Sequence, residues 1–352
     1  MDSRRHILLV GAGHAHLNVI RDSRRWPRDQ VCATVVSPGD FWYSGLATGT
    51  LGGEYDVEQD RVDVAALCGR VGATFVRGEL SSLDTAARKA TLADGASLRY
   101  DVLSLNLGSE VNVPGGFDGV GRVFRVKPIA ELIDLRRSVE AGEVRSVCVV
   151  GGGYAGSECA INVAALLGEG GRVTLFAGND GPGPDLPKRA RPRLREALLG
   201  AGVIVRDVRA TPADVAGFDA VLLATGLKPP GLAASLGLAT DAGGHLLVDR
   251  HLRCAGHDDI FAVGDAANLL DRPLPNIGVV AVFQGRLLRT NLLRAALGGR
   301  LGSYRPMRWH LLILSLSGGR GLAVYGPFFS TGRLAMRLKR LIDLRWLASF
   351  AR

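Results

Sequence analysis

HILLVGAGHAH, residues 6–16, and SVCVVGGGYAGSE, residues 146–158, decide the fold of this 352-residue chain. Each is an apolar, β-branched run followed by close-set glycines and a helix-compatible stretch. In that strand–turn–helix context a G-x-G-x-x-G pattern reads as a dinucleotide site. The first glycine of each turn, Gly11 or Gly151, allows a tight bend. The second, Gly13 or Gly153, lets backbone N–H groups approach a pyrophosphate, and the helix that opens there contributes partial positive charge. His14 and Tyr154 follow the second glycine directly, and Gly156 completes the second pattern. Two such turns imply two dinucleotides in one chain, and so electron transfer from one to the other.

Outward from these turns the chain repeats itself. The first unit reads as a strand at 6–10, a helix from His14 to Arg25, a strand at 31–37 and a long aromatic and glycine-rich loop over 38–53. A helix in VDVAALCGRVG, a hairpin around Asp94-Gly95 and the strand YDVLSLNLG (100–108) complete it. The second unit has the strand VCVV, a helix to about Leu167, RVTLFAG, a Pro/Gly-rich loop at 178–187, a helix at 188–200, VIVRDV, and FDAVLLATG (218–226). YDVLSLNLG, ending in Gly108, and FDAVLLATG, ending in Gly226, are alike in pattern and position, which points to an internal duplication. After Pro229-Pro230 the chain returns to the first unit through HLLVD, DIFAVGDAA and a helix from near Asn276. The expected class is α/β: two Rossmann-like dinucleotide-binding domains, one inserted in the other, with a short C-terminal segment. The expected boundaries are 1–112 with 231–300 for the first domain, 113–230 for the second, and 301–352 for the segment.

Composition agrees. The chain is 47% apolar and 22% charged, so it can bury two cores of ordinary size. Its 47 glycines suit the many turns of a multi-strand α/β protein. The opening MDSRRHILLV has too short an apolar run for a secretory signal. No run reaches the roughly 18 apolar residues of a transmembrane helix. Five widely spaced cysteines (Cys32, Cys68, Cys148, Cys159, Cys254) fit a reducing, cytoplasmic setting. No metal site is expected.

The order GAG…YSG…GGGYAGSE…ATG…FAVGD…helix resembles the pyridine nucleotide–disulfide oxidoreductase superfamily of flavoproteins. GAGHAHLNVI, SPGDFWYSGL, FRVKPIAEL, IGVVAVFQGRLLRTNL and RLKRLIDLRW look closest to type II NADH dehydrogenase-like proteins and the oxidoreductase halves of selenide, water dikinase fusions. The resemblance implies FAD in the first domain and NADH or NADPH in the second. It gives DIFAVGDAAN (259–268) a role: the strand ends at Gly264, and Asp265 accepts hydrogen bonds from ribityl hydroxyls. The helix that follows would place its N-terminus at the flavin edge.

Several positions depart from the pattern. His16 replaces the third glycine of the first turn, and a structural role is expected of it. The acid normally found about 20 residues beyond each turn is missing. Ser37 can offer a ribose only an uncharged partner. The second counterpart ends in Ala177 and Gly178, with Lys188 and Arg189 further on as possible contacts to a 2′-phosphate. Nucleotide preference stays open.

No C-x-x-C or C-x-x-x-x-C occurs, so electrons must leave the flavin without a redox disulfide. The resemblance places Glu158 near the nicotinamide–flavin contact, with Lys127 as a substitute for the usual lysine partner. A carboxylate complementing the helix dipole accounts for Glu158 equally. The run Phe41-Trp42-Tyr43 can wall off water beside an isoalloxazine or stack on a planar acceptor, which makes Tyr43 a candidate at the reacting face. Of the paired glutamines of type II dehydrogenases only Gln284 is present, and Val279 fills the other place.

The tail 333–352 carries Arg333, Arg337, Lys339, Arg340, Arg345 and Arg352 against one acid, Asp343. Leu334, Leu338, Leu341, Ile342 and Trp346 interleave at helical spacing, as in an interfacial helix on anionic lipid. A helix packed on its own domain explains the leucines equally well. The formal charge of +9 suits an anionic membrane surface, and no nucleic-acid motif accompanies it. The expectation is an NAD(P)H dehydrogenase passing electrons through FAD to a quinone-like acceptor, cytoplasmic and peripheral on the inner face of the membrane. The alternatives are a sulfide or small-donor:quinone oxidoreductase and a non-catalytic FAD/NAD-binding redox sensor.

Overall fold

The protein is described here from a computed structural model covering residues 3–117 and 119–351. Arg352 of the tail lies outside the described residues.

Two five-stranded parallel sheets share the order of four strands and differ in where the chain supplies the fifth, at the edge. The first runs Ile260–Ala262, Val102–Leu105, Arg5–Val10, Val31–Ser37, Thr74–Arg77. The second runs Val123–Arg125, Ala220–Leu223, Ser146–Val150, Arg172–Phe176, Ile204–Arg206. The first sheet takes its edge strand at 260–262 only after the second is complete, so one Rossmann-like unit is inserted in the other. Near-continuous apolar strands dictate this arrangement, because a parallel sheet is covered on both faces. Ile7, Leu8, Leu9, Val35, Leu103 and Phe261 are buried in the first core, and Val147, Val149, Leu175 and Leu222 in the second.

The duplication extends to single hydrogen bonds. Gly11 N–H donates to Val36 O at 2.8 Å and Gly151 N–H to Phe176 O at 2.9 Å. Asn106 N–H donates to Val10 O and Ala224 N–H to Val150 O, both at 2.8 Å.

Some local expectations are corrected. Within 38–53 the chain forms a short strand, Phe41–Trp42, paired with Arg61–Val62, and a helix, Ser44–Leu51. That helix is buried from Leu46 to Leu51, so it has no amphipathic stripe to betray it. The Asp94-Gly95 turn joins two strands of a three-stranded meander, while Thr74–Arg77 belongs to the first sheet. No long helix follows Asp265 directly. A single turn, Gly264–Ala266, leads into the strand Ala267–Leu269, and the long helix starts only at Gly278 and ends at Leu297. Pro273 and Pro275 hold the intervening chain extended. The helix expected at 188–200 starts at Arg191, with Pro192 in its first turn.

Residues 301–352 hold more than one amphipathic segment. An antiparallel sheet, Leu311–Ser315, Gly321–Tyr325 and Phe328–Gly332, precedes the C-terminal helix Arg333–Ala351 and packs against it. No helix among the described residues is long and apolar enough to cross a membrane.

Candidate functional site

Each glycine turn is closed by a neighbouring strand end. A Cβ on Gly11 would lie 2.2 Å from Asn106 O, and one on Gly151 would lie 2.2 Å from Ala224 O. The two turns then differ. A Cβ on Gly13 would lie 2.7 Å from Asn106 Nδ2 and one on Gly264 2.6 Å from Asn106 Oδ1, whereas one on Gly153 would meet nothing within 4 Å. The Asn106 side chain therefore sits between the first turn and the Gly264 turn, and its buried Nδ2 has no hydrogen-bond partner among the described residues. Gly264 N–H donates to Gln284 Oε1 at 2.8 Å, which ties the same turn to the long helix.

Beside Gly264, Asp265 Oδ2 accepts from Lys127 Nζ at 2.6 Å and from Ser109 Oγ at 2.7 Å. Burial pushes this carboxyl up, but the Lys127 ammonium and the two hydrogen bonds outweigh it and hold it below the ordinary range. His14 lies within the field of both groups. Burial and then Lys127 lower it to about 4, against the pull of Asp265. Its ring packs edge-on to Phe41 at 4.8 Å and near Tyr43 and Trp346, each at 5.5 Å, and Nε2 is 3.2 Å from Ser44 Oγ.

The glycine cradle, the orphaned Asn106 Nδ2 and the Asp265–Lys127 pair fit an FAD. The glycines leave room for a pyrophosphate, Nδ2 is a donor without a partner, and Asp265 is an ionised acceptor for hydroxyls.

A cavity of about 1590 Å³ extends from this cluster to the second glycine turn. Its walls include Gly151, Gly153, Tyr154 and Glu158 from the second unit, His14 and Tyr43 from the first, and Leu311, Ile342 and Trp346 from the C-terminal segment. The C-terminal helix turns two of its charged residues, Lys339 and Asp343, inward. Lys339 Nζ donates to Asp343 Oδ2 at 2.9 Å and to Gly45 O at 2.5 Å, and Tyr43 Oη donates to Asp343 Oδ1 at 2.8 Å. Burial opposes the charge on Lys339, but Glu158 and Asp343 outweigh it and raise the ammonium above its usual range. Burial also pushes Glu158 up, against the pull of Lys339, and Glu158 Oε1 accepts the Ser315 N–H at 2.6 Å.

The cavity brings together His14, Tyr43, Lys127, Gly151, Gly153, Tyr154, Glu158, Gly226 and Val279. Lys127 does not pair with Glu158; it is committed to Asp265, and the lysine whose field acts on Glu158 is Lys339. Ser37 is buried and donates to Gly39 O at 3.0 Å within its own turn. Gly108 adopts φ +73 at the end of its strand, and Gly156 packs against Gly151, where a Cβ would clash. His16 is structural: Nδ1 is 2.5 Å from Gly11 O and Nε2 is 2.8 Å from Ser104 Oγ. Of the residues assigned to a lipid face, Lys339 is buried and Trp346 is stacked on Tyr43 at 4.6 Å. Sequence reasoning missed Asn106 and Ser109, and gave Lys339 and Asp343 a place only in the basic tail. The one available signal was the Asn of NLG standing where the repeat has the Ala of ATG.

Residues 5–285 match the family described as pyridine nucleotide-disulphide oxidoreductase. Ferroptosis suppressor protein 1 of Taeniopygia guttata is 26% identical over 298 residues, 78% of this chain and 77% of that one. A NADH dehydrogenase-like protein of Mycobacterium tuberculosis is 30% identical over 240 residues, 61% of this chain; the match spans 60% of that relative's length. The demethylphylloquinone reductase of a Synechocystis strain is 27% identical over 318 residues, 78% of each chain. Among solved structures, NDH2 of Plasmodium falciparum in complex with NADH superposes with a TM-score of 0.80 at 13% identity, covering 99% of this chain and 98% of that one.

Proposed function

Because the chain belongs to the pyridine nucleotide-disulphide oxidoreductase family and is an FAD- and NAD(P)H-dependent oxidoreductase, we propose that it is an NAD(P)H dehydrogenase whose acceptor is a quinone-like molecule. In this reading residues 1–112 and 231–300 hold FAD, 113–230 hold the nicotinamide dinucleotide, and 301–352 face the acceptor. FAD held there would supply two-electron transfer between the nicotinamide and the acceptor.

The cavity carries the reading. One wall is the glycine turn Gly151–Tyr154, and another is apolar, built from Leu311, Leu312, Ile313, Leu314 and Ile342. A hydrophobic wall with few polar groups suits a planar, lipid-soluble acceptor. The relative named a demethylphylloquinone reductase supports the same class. Cys148 and Cys159 are both buried and their thiols are pushed up by burial, which disfavours thiolate chemistry and with it the sulfide alternative.

The chain's own residues have separable tasks. Gly151, Gly153 and the N-terminus of the helix Tyr154–Leu167 would bind the donor's pyrophosphate. Gly11, Gly13, Gly264 and Asp265 would seat the FAD, with His14 and Val279 in its wall. Lys127 keeps Asp265 ionised. Tyr43, stacked on Trp346, would exclude water from the reacting face. Reducing a quinone consumes protons, and Lys339, held as an ammonium beside Glu158 and Asp343, is a cavity group that carries one.

A membrane source for the acceptor is supported by the outer face of the C-terminal helix. Leu334, Leu338, Leu341 and Leu344 are exposed there, with Arg333 and Arg337 among them. Leu311, Tyr325 and Phe328 on the adjoining sheet are also exposed.

The test is a steady-state screen of FAD-loaded protein. NAD(P)H oxidation should accelerate with a quinone, and sulfide should not replace NAD(P)H as the donor that reduces that quinone. Equal rates with and without quinone would remove the acceptor assignment, and a stable NAD(P)H complex without turnover would favour a sensor.

A further inference from the structure

We infer that the second dinucleotide site reads the 2′-phosphate of NADPH, and that Arg209 is the residue that reads it. This rests on the proposed role of NAD(P)H as donor.

In a Rossmann unit the end of the second strand meets the adenosine ribose, where a carboxylate accepts the 2′-OH of NADH and repels a 2′-phosphate. Here that strand, Arg172–Phe176, runs into Ala177 and Gly178, and neither carries a charge. Both line the cavity. A Cβ on Gly178 would meet nothing within 4 Å, so the space beside it is open.

Backbone hydrogen bonds bring a cation to this place. Ala177 N–H donates to Arg206 O at 2.8 Å, and Gly178 N–H donates to Val208 O at 3.2 Å. The segment after the edge strand Ile204–Arg206 is thereby fixed alongside the ribose position, and the next two residues, Arg209 and Ala210, form the cavity wall.

The Arg209 guanidinium is uncommitted: it makes no hydrogen bond or ion pair among the described residues. The acid nearest in sequence, Asp207, is paired with Arg195. Asp185 also lines the cavity, but its loop is fixed over the glycine turn by Gly183 N–H donating to Gly152 O at 2.7 Å, and its field falls on Tyr154. Lys188 and Arg189, the sequence candidates for a 2′-phosphate, do not line the cavity. A guanidinium offers a planar fork that matches phosphate oxygens two at a time.

Equilibrium binding of NADP⁺ and NAD⁺ to the FAD-loaded protein, followed by calorimetry, tests the inference without turnover. NADP⁺ should bind more tightly by about tenfold or more, as a charge-assisted contact allows. Arg209→Ala should abolish most of that preference, with NAD⁺ affinity as the internal reference, and Arg209→Lys should restore part of it. Gly178→Asp should reverse the preference. Equal affinity of the wild type for both nucleotides, or a loss in Arg209→Ala that is the same for both, overturns the role of Arg209 and leaves the donor reading standing. Failure of the wild type to bind either nucleotide overturns both.

Discussion

Tyr43 and Asp343, 300 residues apart in the chain, are joined by a 2.8 Å hydrogen bond from phenol to carboxylate. The same carboxylate holds Lys339, and Trp346, nearly one turn further along the helix, stacks on the Tyr43 ring. The C-terminal helix is thus keyed into the aromatic segment beside the first glycine turn by hydrogen bonds from Tyr43 to Asp343 and from Lys339 to Gly45 O and by the Trp346 stack, with the Lys339–Asp343 pair within the helix orienting both groups. Burial pushes the Tyr43 phenol upward, with Asp343 adding to the effect, so the phenol keeps its proton and remains the donor.

Removing one partner of a buried pair leaves the other charge uncompensated, at a cost of about 3–5 kcal/mol. Lys339→Met should therefore lower stability by that order. Lys339→Met with Asp343→Leu should recover most of the loss, since both charges are then gone. Urea unfolding of the FAD-loaded protein measures the difference. A single variant that unfolds at the wild-type midpoint would show that the pair does not hold the helix.

Two glycines of one turn should behave oppositely. Gly151 has φ +121 and its Cβ would strike Ala224 O, so Gly151→Ala should destabilise the fold. Gly153 has φ −65 and open space around it, so Gly153→Val should fold and keep its FAD. The added side chain would fill the place of the donor's pyrophosphate, and NAD(P)H binding should fall while the flavin spectrum is unchanged. Unaltered NAD(P)H affinity in Gly153→Val would remove the turn from the donor site.

The repeated α/β plan was legible because its grammar is local: an apolar run, a glycine turn, a helix, twice. Asp265 and Lys127 were legible as residues but not as a pair, because 138 residues separate them. The helix Ser44–Leu51 was hidden by being buried almost all round. The C-terminal helix misled in a specific way. Its leucines read as the buried face or the lipid face, whereas the structure buries Lys339, Asp343 and Trp346's side and leaves the leucines outside. Hydrophobic periodicity finds a face; it does not say which face meets the protein when an ion pair satisfies the inward one.

The buried histidines predict a sign for the effect of pH. His16 is fully buried, and its ring bridges Gly11 O and Ser104 Oγ. Because a carbonyl only accepts, Nδ1 donates to Gly11 O, and in the neutral ring that burial favours Nε2 accepts from the Ser104 hydroxyl. Burial lowers His16 to about 4, against the Gly11 hydrogen bond. The unfolded chain binds a proton below its ordinary value of 6.5 that the native state refuses. The contribution is present above pH 6.5 and is lost as pH falls toward 4, by at most about 3 kcal/mol. Asp60, pushed up to about 8 by burial, acts in the opposite sense, favouring the native state as pH falls through its own window. The comparison is therefore between wild type and His16→Gln: the variant should lose less stability between pH 7 and pH 4.5. Parallel pH profiles for the two would mean that His16 does not titrate differently on folding.

The helix that reaches Tyr43 from inside also constrains any test of the membrane reading from outside. Deleting 333–352 would remove Met336, Lys339, Asp343 and Phe350 from the interior, so loss of vesicle binding in a truncated protein would not isolate the outer face. Substitution does. Leu334 and Leu341 are 77% and 62% exposed and two turns apart on one face, so Leu334→Glu with Leu341→Glu should leave the fold and its FAD intact. The wild type should sediment with anionic vesicles at low salt and less at high salt, because each basic residue at such a surface contributes about 1 kcal/mol and the interaction is screened. Arg333 and Arg337 are exposed for that role. The double variant should stay in the supernatant, having lost apolar insertion and gained two negative charges. Ordinary hydrophobic aggregation would not be relieved by salt, so the salt arm separates the two. Binding of the double variant equal to wild type would place the lipid contact elsewhere, and wild type that ignores vesicles at low salt would mean that the acceptor does not arrive through this face.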